Sequence, residues 1–106
     1  MSGKAQYPKI VVTPPGPKAR ELIRADESYI SKSVLRWYPL AAESGSGCIV
    51  RDVDGNEYID FNSGLAVLNV GHCHPKVVSA ITEQTKKLIH YSYTDFYYQN
   101  IVDLGR

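Results

Sequence analysis

His72-Cys73-His74 gathers two imidazoles and a thiol within three residues, the densest set of metal-ligating and nucleophilic groups in the 106-residue sequence. Zinc needs three or four ligands arranged tetrahedrally around one ion, and adjacent residues cannot all turn to it without backbone strain. The only other histidine is His90, a helix-length away, so no second cluster completes a ligand set. The same adjacency argues against a Cys73 nucleophile with a histidine base, because sequence neighbours rarely align as nucleophile, base and orienting group. The run reads as a tight turn whose imidazoles hydrogen-bond local backbone, with no metal.

Asp52, Asp54, Glu57 and Asp60 form an acidic cluster. Paired carboxylates do acid–base work when burial splits their pKa values, but here they alternate with strand residues beside a turn, where solvated carboxylates are expected. The loop also lacks the twelve-residue pattern of a calcium-binding hand. Gly45, Gly47, Gly64 and Gly71 match neither the dinucleotide nor the Walker spacing, and no Gly-Lys-Ser/Thr follows them, so they read as turn residues. Trp37 and Tyr38, with the aromatics from Tyr91 to Tyr98, could stack on bases. No basic groove accompanies them, and packing against a subunit or another domain is the better reading.

Hydrophobic residues make up 43% and charged residues 22% of the chain, which describes an ordinary globular composition rather than a disordered tail. A net charge of +1 with scattered basic residues gives no reason to expect nucleic acid or anionic membrane as a partner. No apolar run approaches the roughly 20 residues needed to cross a bilayer. Ile10-Val11-Val12 is too short for the core of a signal peptide. Cys48 and Cys73 suit free thiols in a reducing compartment, and a cytoplasmic location is expected.

Residues 1–16 read as an extended arm ending in Pro14-Pro15-Gly16-Pro17, with Pro17 placed at the first position of a helix over 17–31. Leu35 to Ala42 looks extended, Pro39 making it an edge or irregular strand, and Ser44-Gly45-Ser46-Gly47 reads as a flexible turn. Cys48–Asp52 and Asn56–Phe61 then form a hairpin around Val53-Asp54-Gly55. A two-residue turn would set Asp52 against Glu57. A three-residue loop with Gly55 left-handed sets Arg51 against Glu57 instead, and cross-strand opposite charge favours this register.

Leu65-Ala66-Val67-Leu68 is a short continuous apolar run, expected to be covered on all sides. Pro75 opens a second helix whose buried stripe is Val77, Val78, Ile81, Leu88 and Ile89, and a last helix is expected from near Asp95. Its face of Ile101, Val102 and Leu104 is left open, so the pattern predicts a piece of something larger. The fold class is α+β, a short antiparallel hairpin or sheet with flanking helices.

Two stretches are more specific. Val50-Arg51-Asp52-Val53-Asp54-Gly55-Asn56-Glu57-Tyr58-Ile59-Asp60-Phe61 is followed by Ser63-Gly64-Leu65-Ala66-Val67-Leu68-Asn69-Val70-Gly71-His72-Cys73-His74-Pro75. Together they closely resemble the N-terminal region of the class III pyridoxal-phosphate-dependent aminotransferases, the 4-aminobutyrate, ornithine and acetylornithine enzymes. The resemblance covers roughly residues 35–104. It implies a segment of a fold-type I transferase: an arm over 1–16, then over 17–106 the N-terminal part of the small domain, leading into a large cofactor-binding domain. It also implies a homodimer that moves an amino group from an amino acid or ω-amine to a 2-oxo acid.

In the family the lysine that holds pyridoxal phosphate, the aspartate at the ring nitrogen and the phosphate cup all lie downstream. Lys4, Lys9, Lys18, Lys32, Lys76, Lys86 and Lys87 match none of these. The chain is therefore expected to carry no catalytic and no cofactor-binding residue, and alone not to transaminate. What it contributes by resemblance is substrate shaping, through Leu65 and Ala66 and, more approximately, Tyr38. Some ornithine-using members have tyrosine at the place of Leu65, and an aliphatic side chain there leans toward a 4-aminobutyrate-like donor. Core packing is the competing role for Leu65 and Ala66. The alternative for the whole chain is a free-standing small α+β binding module without catalysis.

Overall fold

Pro17 starts the first helix, α1 (Pro17–Tyr29), as its fixed φ favours, and the helix closes within two residues of the expected end. The computed structural model describes residues 6–106. Two units make up the chain, Met1–His74 and Pro75–Arg106. Of the arm expected over 1–16, residues 1–5 lie outside the described residues. The remainder runs alongside the hairpin: Lys9 and Glu57 exchange both backbone hydrogen bonds at 2.9 Å.

The first unit holds one antiparallel sheet in the order β1 (Ala42–Ser46), β2 (Ile49–Asp52), β3 (Glu57–Ile59). Arg51 stands opposite Glu57 and Gly55 has φ +92°, so the three-residue loop is the one formed. Charge pairing is not what selects it, because Arg51 leans toward Glu43 on β1, at 3.8 Å. The register comes instead from the Asp52 carboxylate, whose Oδ1 accepts the backbone N–H groups of both Asp54 and Asn56. That geometry closes around three residues.

Ser44-Gly45-Ser46, read as a flexible turn, belongs to β1, and the stretch from Leu35 to Ala41 forms no strand. Intrinsic preference missed β1 because it has no β-branched or aromatic residue; its ladder to β2 holds it. Gly45 has a reason of its own: a Cβ there would sit 2.7 Å from the His72 ring.

A polar contact replaces the usual helix cap at α1. Its N-cap is Gly16, which has no side chain, and Asp54 of the hairpin turn reaches across 35 residues to do the work. Oδ1 of Asp54 accepts from Lys18 N and Oδ2 from Ala19 N, both at 2.9 Å. This satisfies two of the orphan donors and places a negative charge at the helix N-terminus. A Cβ on Gly16 would lie 2.6 and 2.7 Å from the Asp54 carboxylate oxygens. Since φ at Gly16 is −73°, alanine suits the backbone, and Gly16→Ala isolates the steric conflict. Displacing Asp54 is expected to cost about 1–2 kcal/mol, the usual worth of a cap, read as a lowered thermal midpoint. A midpoint within error of wild type would show that Asp54 is dispensable there.

After β3 comes α2 (Ser63–Ala66), a single turn of the opposite hand. The second unit contains α3 (Pro75–Thr85) and α4 (Gln99–Leu104). α4 begins four residues after the expected Asp95, which instead closes a turn on Ser92 O. Leu88 and Ile89 lie beyond the end of α3, so its stripe is Val77, Val78 and Ile81, all exposed. Tyr91 and Phe96 pack ring to ring, with centroids 4.4 Å apart.

Among the described residues the only buried apolar side chains are Ala19 and Ala41. The most enclosed groups are polar, Asp52 at 2% and Asn56 at 0% exposure. The first unit is thus organised around a hydrogen-bonded carboxylate rather than an apolar core.

Candidate functional site

Asp52 sits at the centre of that organisation. Besides the two backbone N–H groups, it accepts from Asn56 Nδ2 at 2.8 Å and from the Tyr58 hydroxyl at 2.9 Å. Asn56 Oδ1 in turn accepts from Val11 N and Val12 N, which ties the arm to the same hub. Burial works against the Asp52 charge, but the bonds from Asn56, Tyr58 and Asp54 outweigh it and hold the carboxyl below its usual value. Burial and the neighbouring carboxylate push the Tyr58 hydroxyl up, so it stays protonated and donates. Solvated carboxylates were expected in this cluster; Asp52 is the reverse, since four donors converge on it.

A second carboxylate shapes the motif that carries the candidate pocket residues. Asp60 Oδ1 accepts from Asn62 N at 2.8 Å and Ser63 N at 2.9 Å, while Oδ2 lies 2.6 Å from His72 Nε2. The Ser63 backbone bond, the His72 side chain and the Asn62 backbone bond lower the Asp60 pKa, so at neutral pH the carboxylate can only accept and Nε2 carries the proton. His72 is fixed in its turn: its backbone exchanges both hydrogen bonds with Gly47, and its ring lies over Gly45. Gly71, at φ +86°, brings the two backbones so close that a Cβ would meet Gly47 O at 3.0 Å. The imidazole of His72 thus bonds a side-chain carboxylate, not the local backbone as expected, because the turn folds back against β1.

Asp52 and Asp60 together imply a sign for acid stability. Both are depressed in the folded state, so their contribution is present above the unfolded carboxyl value of about 3.9 and is lost as pH falls below it. Asp60→Asn is therefore expected to lower the thermal midpoint at pH 7 and to converge on wild type toward pH 2. A gap that stays constant over that range would remove Asp60 from the account.

Held by this clamp, Ser63, Gly64, Leu65 and Ala66 have φ of 54°, 60°, 63° and 62°. Ala66 N donates to Asn62 O and Val67 N to Ser63 O, one full helical turn of left hand. Asn62 Oδ1 caps it by accepting from Leu65 N. Within this chain nothing covers residues 65–67, which were expected to be covered on all sides: Leu65 is 84% exposed, and Ala66 and Val67 are exposed with it.

Tyr38, also exposed at 78%, lines a groove of about 700 Å³ between α1 and the segment that follows it, beside Leu22, Asp26, Ile30 and Trp37. Leu65 and Ala66 do not line that groove, so the chain by itself does not bring the three candidate pocket residues together. Sequence reasoning missed the Asp60–His72 pair, although Asp60-Phe61-Asn62-Ser63-Gly64 carries the signal of a side-chain-capped turn.

Pyridoxal phosphate would need a lysine in a cleft and a cradle of donors for its phosphate. The described lysines are all exposed, and Lys86 is engaged with Glu83. Lys32 and Arg36 border the α1 groove, but Asp26 and Glu27 line it too and Asp26 already pairs with Arg36 at 2.9 Å, so no cluster of free donors faces a phosphate there. The N-terminus of α1 is already occupied by Asp54. The described residues do not fit the cofactor. No group of three or more histidine, cysteine or acidic side chains among them converges for a metal, and Cys48 and Cys73 are free and exposed. No helix among them is long and apolar enough to cross a membrane.

The comparison with known proteins agrees with the motif. An alanine/serine racemase of Pyrococcus horikoshii is 44% identical over 86 residues, covering 80% of this chain and 18% of its own length. The 4-aminobutyrate aminotransferase of Escherichia coli is 41% identical over 85 residues, 80% of this chain and 20% of that protein. Among solved structures, the acetylornithine aminotransferase of Elizabethkingia anophelis superposes with a TM-score of 0.69 at 33% identity, over 80% of this chain and 22% of that one. The chain thus spans about a fifth of the length of the relatives it matches. The model of the family described as aminotransferase class-III matches residues 29–106, and the chain belongs to that family.

Proposed function

We propose that residues 17–106 form the N-terminal part of the small domain of a pyridoxal-phosphate-dependent aminotransferase, with residues 1–16 as its arm. The whole protein would transfer an amino group from an amino acid or an ω-amine of 4-aminobutyrate type to a 2-oxo acid, as a cytoplasmic homodimer. When bound, pyridoxal phosphate supplies the carbonyl that takes up the amino group and the ring that delocalises the developing charge. Residues beyond this chain hold it. This chain supplies a wall: Leu65 and Ala66, presented on a left-handed turn, exclude water and shape the space for the donor, and Tyr38 adds to that lining.

The observation that supports the reading is the Leu65–Ala66 pair, fixed in conformation inside the motif that matches the family. A free-standing interaction module is not favoured by that family match. A second reading, racemisation of an amino acid, is supported by the similarity to the Pyrococcus horikoshii racemase. The full-length protein tests both. Purified with pyridoxal phosphate, it should be yellow, bleach on addition of an amine donor, and recover on addition of a 2-oxo acid. Inversion of an optically pure amino acid without any 2-oxo acid would favour the second reading. A colourless protein after reconstitution would exclude both.

A further inference from the structure

We propose that Asp60, locked by His72, is the positioning residue for substrate specificity: it holds the left-handed Ser63–Ala66 turn that aims Leu65 and Ala66 at the donor. The inference rests on the reading of Leu65 and Ala66 as pocket residues and adds what keeps them in place.

Three of the four residues in the turn are not glycine, and each bears the Cβ penalty of the left-handed region. Such a conformation persists only where its surroundings over-determine it. Apolar packing within this chain does not do so, since Leu65, Ala66 and Val67 are all exposed in it. Polar contacts do. Asp60 Oδ1 takes the two N–H groups that enter the turn, those of Asn62 and Ser63. Asn62 then supplies its backbone O to Ala66 N and its side-chain Oδ1 to Leu65 N.

The other oxygen of Asp60 is anchored on His72, whose backbone is riveted to Gly47. The clamp therefore transmits the position of the rigid β1–β2 connection to the start of the strained turn. Without it, relaxation to a right-handed conformation would relieve strain and move the Leu65 side chain. Strain held at a place where side chains face outward fits a surface that must meet a ligand in one geometry.

The test uses the full-length protein with Asp60→Ala, Asp60→Asn and His72→Ala. Asparagine keeps an acceptor for Asn62 N and Ser63 N but turns its amide N–H toward His72 Nε2–H, so it gives a partial rescue; His72→Ala likewise removes only the anchor, and both are milder lesions should Asp60→Ala fold poorly. Amide hydrogen exchange of Leu65 to Leu68 in the cofactor-free protein reads the clamp. The ratio of kcat/KM for 4-aminobutyrate to that for ornithine reads specificity.

Asp60→Ala should speed exchange in that window about tenfold or more while Val50 and Tyr58 stay protected, and change the donor ratio about fivefold or more. His72→Ala and Asp60→Asn, which each break the Asp60–His72 bond but leave an acceptor for Asn62 N and Ser63 N, should do the same to a smaller degree. Unchanged exchange in the window would overturn the proposal, as would a loosened window with the donor ratio intact. A wild-type protein inactive on every amine would fail the reading of the pocket, whereas the clamp itself is judged by exchange alone.

Discussion

Asp52→Ala is expected to destabilise the protein by about 2–4 kcal/mol, because buried neutral donors are left without an acceptor. Four donors lose their acceptor at once: Asp54 N, Asn56 N, Asn56 Nδ2 and the Tyr58 hydroxyl. Each bond to a charged group is worth about 1.5–3 kcal/mol, but the four are not additive, because the turn can open and rehydrate some of them. Asn56 is fully buried, so its own donors cannot reach water without that opening.

The loss spreads beyond the turn. Asn56 holds the arm through Val11 and Val12, and Asp54 caps α1, so one carboxylate positions the arm, hairpin and helix together. Asp52→Asn should fall between alanine and wild type, since its carbonyl can still accept the two backbone groups while its amide faces Asn56 Nδ2. Urea unfolding of the full-length protein, followed by proteolysis of the arm, measures both variants. A loss under about 1 kcal/mol for alanine would show that the hub is not what holds this unit.

The hairpin register was legible and its cause was not. Asp54-Gly55 between two apolar runs fixes a turn, and the three-residue loop was chosen on the pairing of Arg51 with Glu57. Arg51 and Glu57 stand opposite each other as charge pairing predicts, yet Asp52 sets the loop through backbone groups that a charge count does not see. Helices α1 and α3 were legible because proline at the first position and a 3.6-residue stripe are local signals. β1 was not, because Ala42-Glu43-Ser44-Gly45-Ser46 has the composition of a loop and gains its strand from β2 and its narrowness from the His72 ring.

The candidate site divides the same way. A continuous apolar run at 65–68 is ordinarily a covered strand or helix segment, and nothing in its side chains announces a left-handed turn. The reversal of hand comes from Asp60 and Asn62, which satisfy the entering N–H groups, and from Gly64, which has no Cβ to penalise. The resemblance points to Leu65 and Ala66 as candidates; the bond that anchors the start of their turn comes from His72, twelve residues from Asp60, whose imidazole reads from sequence as bonded to its own turn.

Leu65→Tyr in the full-length protein is expected to shift donor preference about tenfold or more toward amines with a polar head. Leucine offers no hydrogen bond, so a donor with a charged or hydroxylated terminus loses its water there without replacement. Tyrosine adds a hydroxyl that can take up that group, and a site able to hydrogen-bond a substrate discriminates far more strongly than one that only fits its volume. The backbone allows the exchange, since both side chains are unbranched at Cβ and bear the left-handed φ of 63° equally. Valine or isoleucine would add strain of their own.

Leu65→Gly separates the two roles of the position. It relieves about 1 kcal/mol of left-handed strain, offset in part by the freer unfolded chain, so the thermal midpoint should hold or rise. Donor discrimination should nevertheless weaken, because the wall is gone. Steady-state kcat/KM over a series of amines of graded polarity, measured beside the midpoints, gives both readouts. If Leu65→Tyr slows every donor by the same factor, or Leu65→Gly lowers the midpoint by several degrees, the side chain is a packing residue against whatever covers it in the full protein. Leu65 sits on a turn whose geometry is held by hydrogen bonds and not by burial of its side chain within this chain, and that is the physical ground for expecting the opposite.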